Sequence, residues 1–204
     1  MAITNGYCTA EQVKESLNID DAADDVAVDR AIEAASRAID WHCRRRFWTE
    51  DSDATRYYTA ASGGRVWLDG APEDVEVRTV TSLKTDEDGD GTYGTTWAAS
   101  DYRLEPVNAP TNGRPYTRIA TKPQGSLVFP RWPAAVEIVG RFGWAAVPAD
   151  VEEACIRFGG IVFKTVSEGA APLIELGDAR VMVSRYIDGH VEMMLRPFRR
   201  VLAR

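Results

Sequence analysis

The sequence predicts an α+β protein: a helical body built from both ends of the chain, with an antiparallel β-hairpin module inserted between them. Two observations carry this. Apolar residues recur at three- and four-residue steps near the amino terminus and again after residue 148, whereas from about residue 55 to 142 the apolar period falls to two. A third is the placement of proline: Pro72, Pro106, Pro110, Pro115, Pro123, Pro130 and Pro133 all fall between or at the edges of the period-two runs, where a missing backbone donor harms a ladder least. The expected division is therefore residues 1–52 with 143–204 as the body, and 53–142 as the module.

The first helix is announced at Thr9. Thr9 to Gln12 reads T-x-x-Q, a capping box in which each side chain satisfies an amide that the first turn leaves unpaired. Val13 and Leu17 mark its apolar side. After the acidic turn NIDDAADD, the run VAVDRAIEAASRAIDWHCRRRFW sets Val28, Ala31, Ile32, Ala35, Ala38, Ile39 and His42 on one face. Acidic residues at its start and Arg44, Arg45 and Arg46 at its end suit the helix dipole. The module should contain strands at TRYYTA, RVWLD, VEVRTVTSL, TTWAA with DYRLE, YTRIA, SLVF and AVEIVGRFG. Helical character returns in VPADVEEACIRFGGIVFKTVSE, with Pro148 in the first turn and Gly159 and Gly160 small enough for close packing on the second helix. RVMVSRYI alternates as a strand does, and a short helix ending in RPFRRVLAR must bend or restart at Pro197.

The stretch TDEDGDGTYG, residues 85–94, opens like a calcium-binding loop, with Asp86, Asp88 and Asp90 on alternate positions and Gly91 behind them. Counted from Asp86, the position that requires a bidentate glutamate is Trp97, whose indole nitrogen only donates. Both flanks are β-prone. The stretch therefore reads as a hairpin tip whose glycines supply positive φ, and Asp86, Asp88 and Asp90 remain a weak candidate for a metal.

Composition excludes several classes. Across 204 residues, 45% hydrophobic and 27% charged content match an ordinary globular protein. No apolar run approaches the length needed to span a bilayer, and MAITNGYCTAEQ has no signal-peptide pattern, so a cytoplasmic site of synthesis is expected. A net charge of −7 opposes a continuous cationic footprint for nucleic acid. Cys8, Cys43 and Cys155 read as reduced thiols. With His42 and His190 the only histidines, neither a histidine-dependent hydrolase nor a zinc site assembles readily. Phosphate-binding and nucleophile-elbow motifs are absent from the sequence. No catalytic residue and no cofactor is expected.

Two arginine clusters remain. Arg44 to Arg46 reads as helix-end complementarity. In the carboxy-terminal segment, arginines alternate with Phe198, Val201 and Leu202, a composition that protein interfaces enrich, and partner docking and core packing weigh about equally there.

Taken together, several pieces resemble the head-to-tail connector (adaptor) proteins of long-tailed bacteriophages. They are the helix Y-C-T-A-E-Q-V-K-E-S-L-N-I, the acidic turn, the helix A-I-E-A-A-S-R-A-I-D-W-H-C-R-R-R-F, then T-D-E-D-G-D-G-T-Y followed by D-Y-R-L-E-P, and V-E-I-V-G-R-F-G-W with V-P-A-D-V-E-E-A. Many such adaptors are small and mainly helical, and residues 55–142 exceed that pattern. The resemblance implies a structural virion protein forming a dodecameric ring at the head-tail junction. It would bind itself, the portal protein and a stopper or tail-terminator protein, pass genomic DNA without reading sequence, and involve no membrane and no catalysis. Within that picture Arg180, Arg185, Tyr186, Arg196, Phe198, Arg199 and Arg200 are expected at the portal, and Asp88, Asp90, Tyr93 and Trp97 at a neighbouring subunit. The alternatives are a metal-dependent enzyme centred on the aspartate loop and a DNA-binding accessory protein using the arginine clusters.

Overall fold

The computed structural model describes residues 3–20, 24–48, 50–68, 75–167 and 189–200. Contacts divide the chain into two units, Met1–Trp48 with Val147–Arg204, and Thr49–Ala146. The architecture is α+β: helices at both ends, and two small antiparallel sheets in the middle.

In the helical unit, α1 (Ala10–Leu17) begins with the complete Thr9–Gln12 capping box and ends at Asn18 in the left-handed conformation. Helix α2 (Asp25–Cys43) buries Val28, Ala31, Ile32, Ala35, Ser36, Ile39 and Cys43 and is closed by left-handed Arg44. Its buried face is thus turned toward Ser36 and Cys43, where periodicity placed Ala38 and His42. Ser36 can be buried because its hydroxyl donates to Ile32 O (2.8 Å) and accepts from Tyr7 N (3.1 Å). Helix α3 (Ala149–Ser167) packs on α1, α2 and α4 (Gly189–Leu195). A side chain at Gly159 would meet Val13 and the Ile32 backbone of α2, and one at Gly160 would meet Leu17 of α1 at 3.3 Å. The glycine pair therefore brings α3 close to two helices, where the sequence pointed to one. After α4 the chain tightens into a 3-10 turn, Arg196–Phe198, with Pro197 inside it. The RVMVSRYI strand falls outside the described residues.

In the β-rich unit the strands are β1 (Ala54–Tyr58), β2 (Arg65–Trp67), β3 (Val77–Thr85), β4 (Thr95–Thr96), β5 (Tyr102–Glu105), β6 (Arg118–Thr121) and β7 (Val136–Phe142). One sheet runs β1-β7-β3-β4 and the other β2-β6-β5. Among the described residues only the β3–β4 and β5–β6 pairs join strands consecutive in sequence; β1–β7, β3–β7 and β2–β6 are long-range. Reciprocal backbone bonds between Val77 and Tyr116 (3.1 and 2.8 Å) tie the sheets together. One core serves both, containing Tyr58, Val66, Leu83, Trp97, Ile119, Phe129, Ile138 and Phe142.

The strand expected at SLVF does not form. Residues 126–129 are irregular, although Phe129 N bonds Gly63 O at 2.8 Å. Their alternation is real, since Phe129 is buried and Val128 exposed, but Pro130 follows at once and supplies no donor to continue a ladder. The TTWAA strand is likewise cut to Thr95–Thr96, with Trp97 N adding one further bond to Leu83 O (2.9 Å).

Candidate functional site

The aspartate-rich stretch is a hairpin tip. β3 and β4 pair through Lys84↔Thr96 and Thr85↔Thr95, and Gly89 (φ +73°) and Gly91 (φ +86°) supply the left-handed turns between them. Asp86 organises it: Oδ1 accepts from the amides of Asp88 (3.2 Å) and Gly89 (2.7 Å), and Oδ2 from Gly91 (2.9 Å). Both oxygens are directed inward at backbone amides. Burial pushes the Asp86 carboxyl up, but these amide donors outweigh it and hold it below the usual carboxylate range. Asp90 Oδ1 accepts from Thr92 N (2.7 Å). Around the tip, Trp132 Nε1 donates to Asp86 O (3.1 Å), and Tyr93 donates to Ala134 O (2.7 Å) while its ring lies 5.3 Å from Tyr57. The tip is therefore a stiff projection that presents Glu87, Asp88 and Asp90 to solvent.

A depressed carboxyl stabilises the fold above its unfolded pKa, and that contribution is lost as pH falls through the folded value. Acid should therefore loosen the tip, and Asp86→Ala should loosen it at every pH. Amide exchange at Gly89 and Gly91 is the measurement; unchanged protection in Asp86→Ala would contradict the assignment.

Of the residues expected at a neighbouring subunit, Asp88 and Asp90 are exposed and Tyr93 is half-buried on the tip. Trp97 is not at the surface. It is 4% exposed, stacks on Phe129 with ring centroids 4.3 Å apart, and donates to Thr85 Oγ1 (2.9 Å). It holds the base of the hairpin and has no area to offer a neighbour.

The carboxy-terminal segment also divides. Phe198 is buried edge-on against Phe47 (5.7 Å), and Arg200, itself buried, donates its amide to Cys43 O (2.9 Å). These two belong to the core of the helical unit, whereas Arg196 and Arg199 are exposed. Arg180, Arg185 and Tyr186 lie outside the described residues. Of the basic cluster at the end of α2, Arg44 and Arg46 are exposed, and Arg46 lies over the Trp48 ring (5.7 Å).

The buried polar groups of the helical unit brace it. Tyr7 donates to Asp40 and accepts from Phe47 N (2.9 Å), linking the amino-terminal segment, α2 and the chain beyond it. Burial pushes Asp40 up to about 6, against the opposing pull of Tyr7, Arg37 and Arg46. Because the folded pKa is raised, the stabilisation is complete below the unfolded value and is lost as pH rises through about 6. Stability should decline by up to about 3 kcal/mol over that window, and the decline should be absent in Asp40→Asn. Urea midpoints measured from pH 4 to 7 check this.

His42 Nε2 sits 2.7 Å from Glu192 Oε2 of α4, so the residue is a bracket between helices and not a partner for Cys43. Burial pushes the Cys43 thiol up to about 12. Cys8 and Cys155 are separated widely in sequence, yet their sulfurs lie 3.2 Å apart with the Ser36 hydroxyl 3.4 Å from Cys155. All three cysteines are free and buried. The hydrogen bond to Cys155, with burial, raises the Cys8 thiol well above its usual range. No spacing rule could have found this pair, because it depends on where α3 returns.

Among the described residues no group of three or more His, Cys, Asp or Glu side chains could hold a metal ion, and no helix is long and apolar enough to cross a membrane. Fold and site together define a two-unit α+β protein with an exposed acidic hairpin tip and exposed arginines at the end of the second helix and in the carboxy-terminal segment. Residues 8–62 match the model of a family described as phage gp6-like head-tail connector proteins. Two solved structures share the fold over the whole chain. One, described as the neck of an empty GTA particle computed with C6 symmetry, has 19% identity and a TM-score of 0.58 and is covered over 95% of its own chain. The other, the neck of a native GTA particle computed with C12 symmetry, has 22% identity, a TM-score of 0.53 and 94% coverage. No curated protein matches the chain.

Proposed function

We propose that this chain is a structural neck protein of a phage-like particle. In this reading copies form a closed ring at the head-tail junction, between the portal and a stopper or tail-terminator protein, and extend the channel through which DNA passes. The observation that carries it is the correspondence of the entire chain, with the family match across α1, α2 and β1, to chains from particle necks, one computed with twelve-fold symmetry. A ring of identical subunits needs two different, complementary faces on each copy. Residues 1–52 with 143–204 would serve as the ring body, and the hairpin at residues 83–104 within the inserted module as the part that reaches a neighbour or the tail side. The net charge of −7 suits a channel along which DNA slides without being gripped.

At the portal side this reading assigns Arg196 and Arg199, which are the exposed arginines of the carboxy-terminal cluster among the described residues. Removing residues 196–204 would be a poor test, because it strips Phe198 and Arg200 from the core. Arg196→Glu with Arg199→Glu is cleaner: portal attachment should fall by about tenfold or more while the melting temperature stays put. Attachment at wild-type strength would remove these arginines from the portal face.

The function itself is tested by electron microscopy of particles made with and without the chain. Loss should leave filled or leaking heads beside unattached tails, and purified protein should restore joining. Normal joining without the chain would end the connector reading.

A further inference from the structure

The outer face of the three-stranded sheet carries a cluster that nothing above explains. Trp67 on β2 stands directly opposite Arg118 on β6, which stands opposite Glu105 on β5. The guanidinium groups of Arg118 and Arg65 lie 5.1 and 5.7 Å from the centre of the Trp67 ring. Arg103 and Arg118 both bond Glu105, Arg118 through Nε at 2.7 Å. Two of the three arginines thus share one carboxylate and Arg65 sits by the ring, so the cluster of three cations and one anion carries a surplus of two positive charges on a chain whose net charge is −7. Trp67 is 38% exposed at its centre. An exposed tryptophan flanked by arginines already held in place is the composition of an interface centre, where little ordering entropy remains to be lost.

We infer that this Arg65–Trp67–Arg103–Arg118 face receives the acidic hairpin tip, Glu87, Asp88 and Asp90, of a second copy of the same chain. Charge complementarity selects the occupant: the tip offers three exposed carboxylates on a backbone stiffened by Asp86, Trp132 and Tyr93, and the face offers the matching guanidinium groups. Within the ring reading the contact is head-to-tail: each copy gives its tip to one neighbour and its face to the other, and successive contacts close the ring. A nucleic acid suits the face less well, because Glu105 lies within it and the cationic area is small.

The inference rests on the ring reading for its place in the particle, but the contact is tested on the purified chain alone. Sedimentation velocity over a concentration series follows four samples: wild type, a tip variant (Asp88→Arg with Asp90→Arg), a face variant (Arg65→Glu with Arg103→Glu), and the two variants mixed. Each variant alone should need a concentration about tenfold or more higher than wild type to associate. The mixture should recover, because a reversed tip fits a reversed face and the native tip fits the native face. Association of wild type should also weaken as salt is raised. Thermal melts of each variant identify one that has merely unfolded, and the chain carrying all four changes should then recover association by itself. Three results would overturn the inference: association unaffected by the swaps, failure of both the mixture and the fourfold chain to recover, or a wild-type chain that stays monomeric throughout. Binding of single-stranded DNA that the face variant loses, with self-association intact, would assign the face to nucleic acid instead. The particle experiment above is independent, so a failed contact and a failed connector function are told apart.

Discussion

Gly140→Ala is expected to unfold the β-rich unit or to leave it barely stable. Gly140 lies in β7, flanked by β1 and β3, opposite Ala54 on one side and Val80 on the other. A Cβ at this position would come within 2.1 Å of Thr79 O and 3.1 Å of Val80 Cα, both backbone atoms. No side-chain rotation relieves such a contact; β3 would have to move away from β7, where the register already shifts between Val80 and Ser82. Adding a methyl group where the neighbours cannot yield costs about 3 kcal/mol or more, a large share of the stability of a unit this size. Denaturant unfolding of the full chain, followed by tryptophan fluorescence, checks the expectation. A midpoint close to wild type would mean that β3 and β7 slide apart far more easily than their ladder suggests.

The second large effect belongs to Trp97→Ala. Truncation empties a site against Phe129 and removes the donor to Thr85 Oγ1, with an expected loss of about 3–5 kcal/mol. Trp97→Phe separates the two contributions. It retains an aromatic ring against Phe129 and loses the hydrogen bond, so it should cost nearer 1 kcal/mol beyond any repacking. The same unfolding measurement applies to both. If alanine and phenylalanine are equally harmful, the indole hydrogen bond and not the stacking governs the hairpin base. If both are silent, the tip is held by Asp86, Trp132 and Tyr93 without help from the hairpin base.

These expectations bear on the proposed function through stiffness. A hairpin tip can dock to a neighbour at small entropic cost only if it is already ordered. Trp97 anchors the base, and Asp86, Trp132 and Tyr93 hold the end. Disrupting the base should therefore lower self-association even though Trp97 touches no partner.

Local chemistry by itself determined a good deal of this protein. The Thr9–Gln12 capping box, the α2 stripe, the glycine turn at residues 89 to 91 and the change from helical to strand period are all set by neighbours within a few residues, and all are present. The missing glutamate at Trp97 likewise told against a calcium loop, and Asp86 spends its oxygens on backbone amides. Only the tertiary structure decided what depends on distant partners. SLVF alternates like a strand but makes a single backbone bond among the described residues, from Phe129 N to Gly63 O, before Pro130 ends the pairing. Only the family resemblance places Trp97 at a neighbouring subunit, and docking and packing weigh equally for Phe198 in sequence; each is core because another aromatic ring, Phe129 or Phe47, is brought against it by the fold. The Cys8–Cys155 contact and the Arg–Trp face exist only after segments far apart in the chain are paired. Periodicity reports which side of an element is apolar, whereas a side chain's partner is set by long-range packing, which no local pattern encodes.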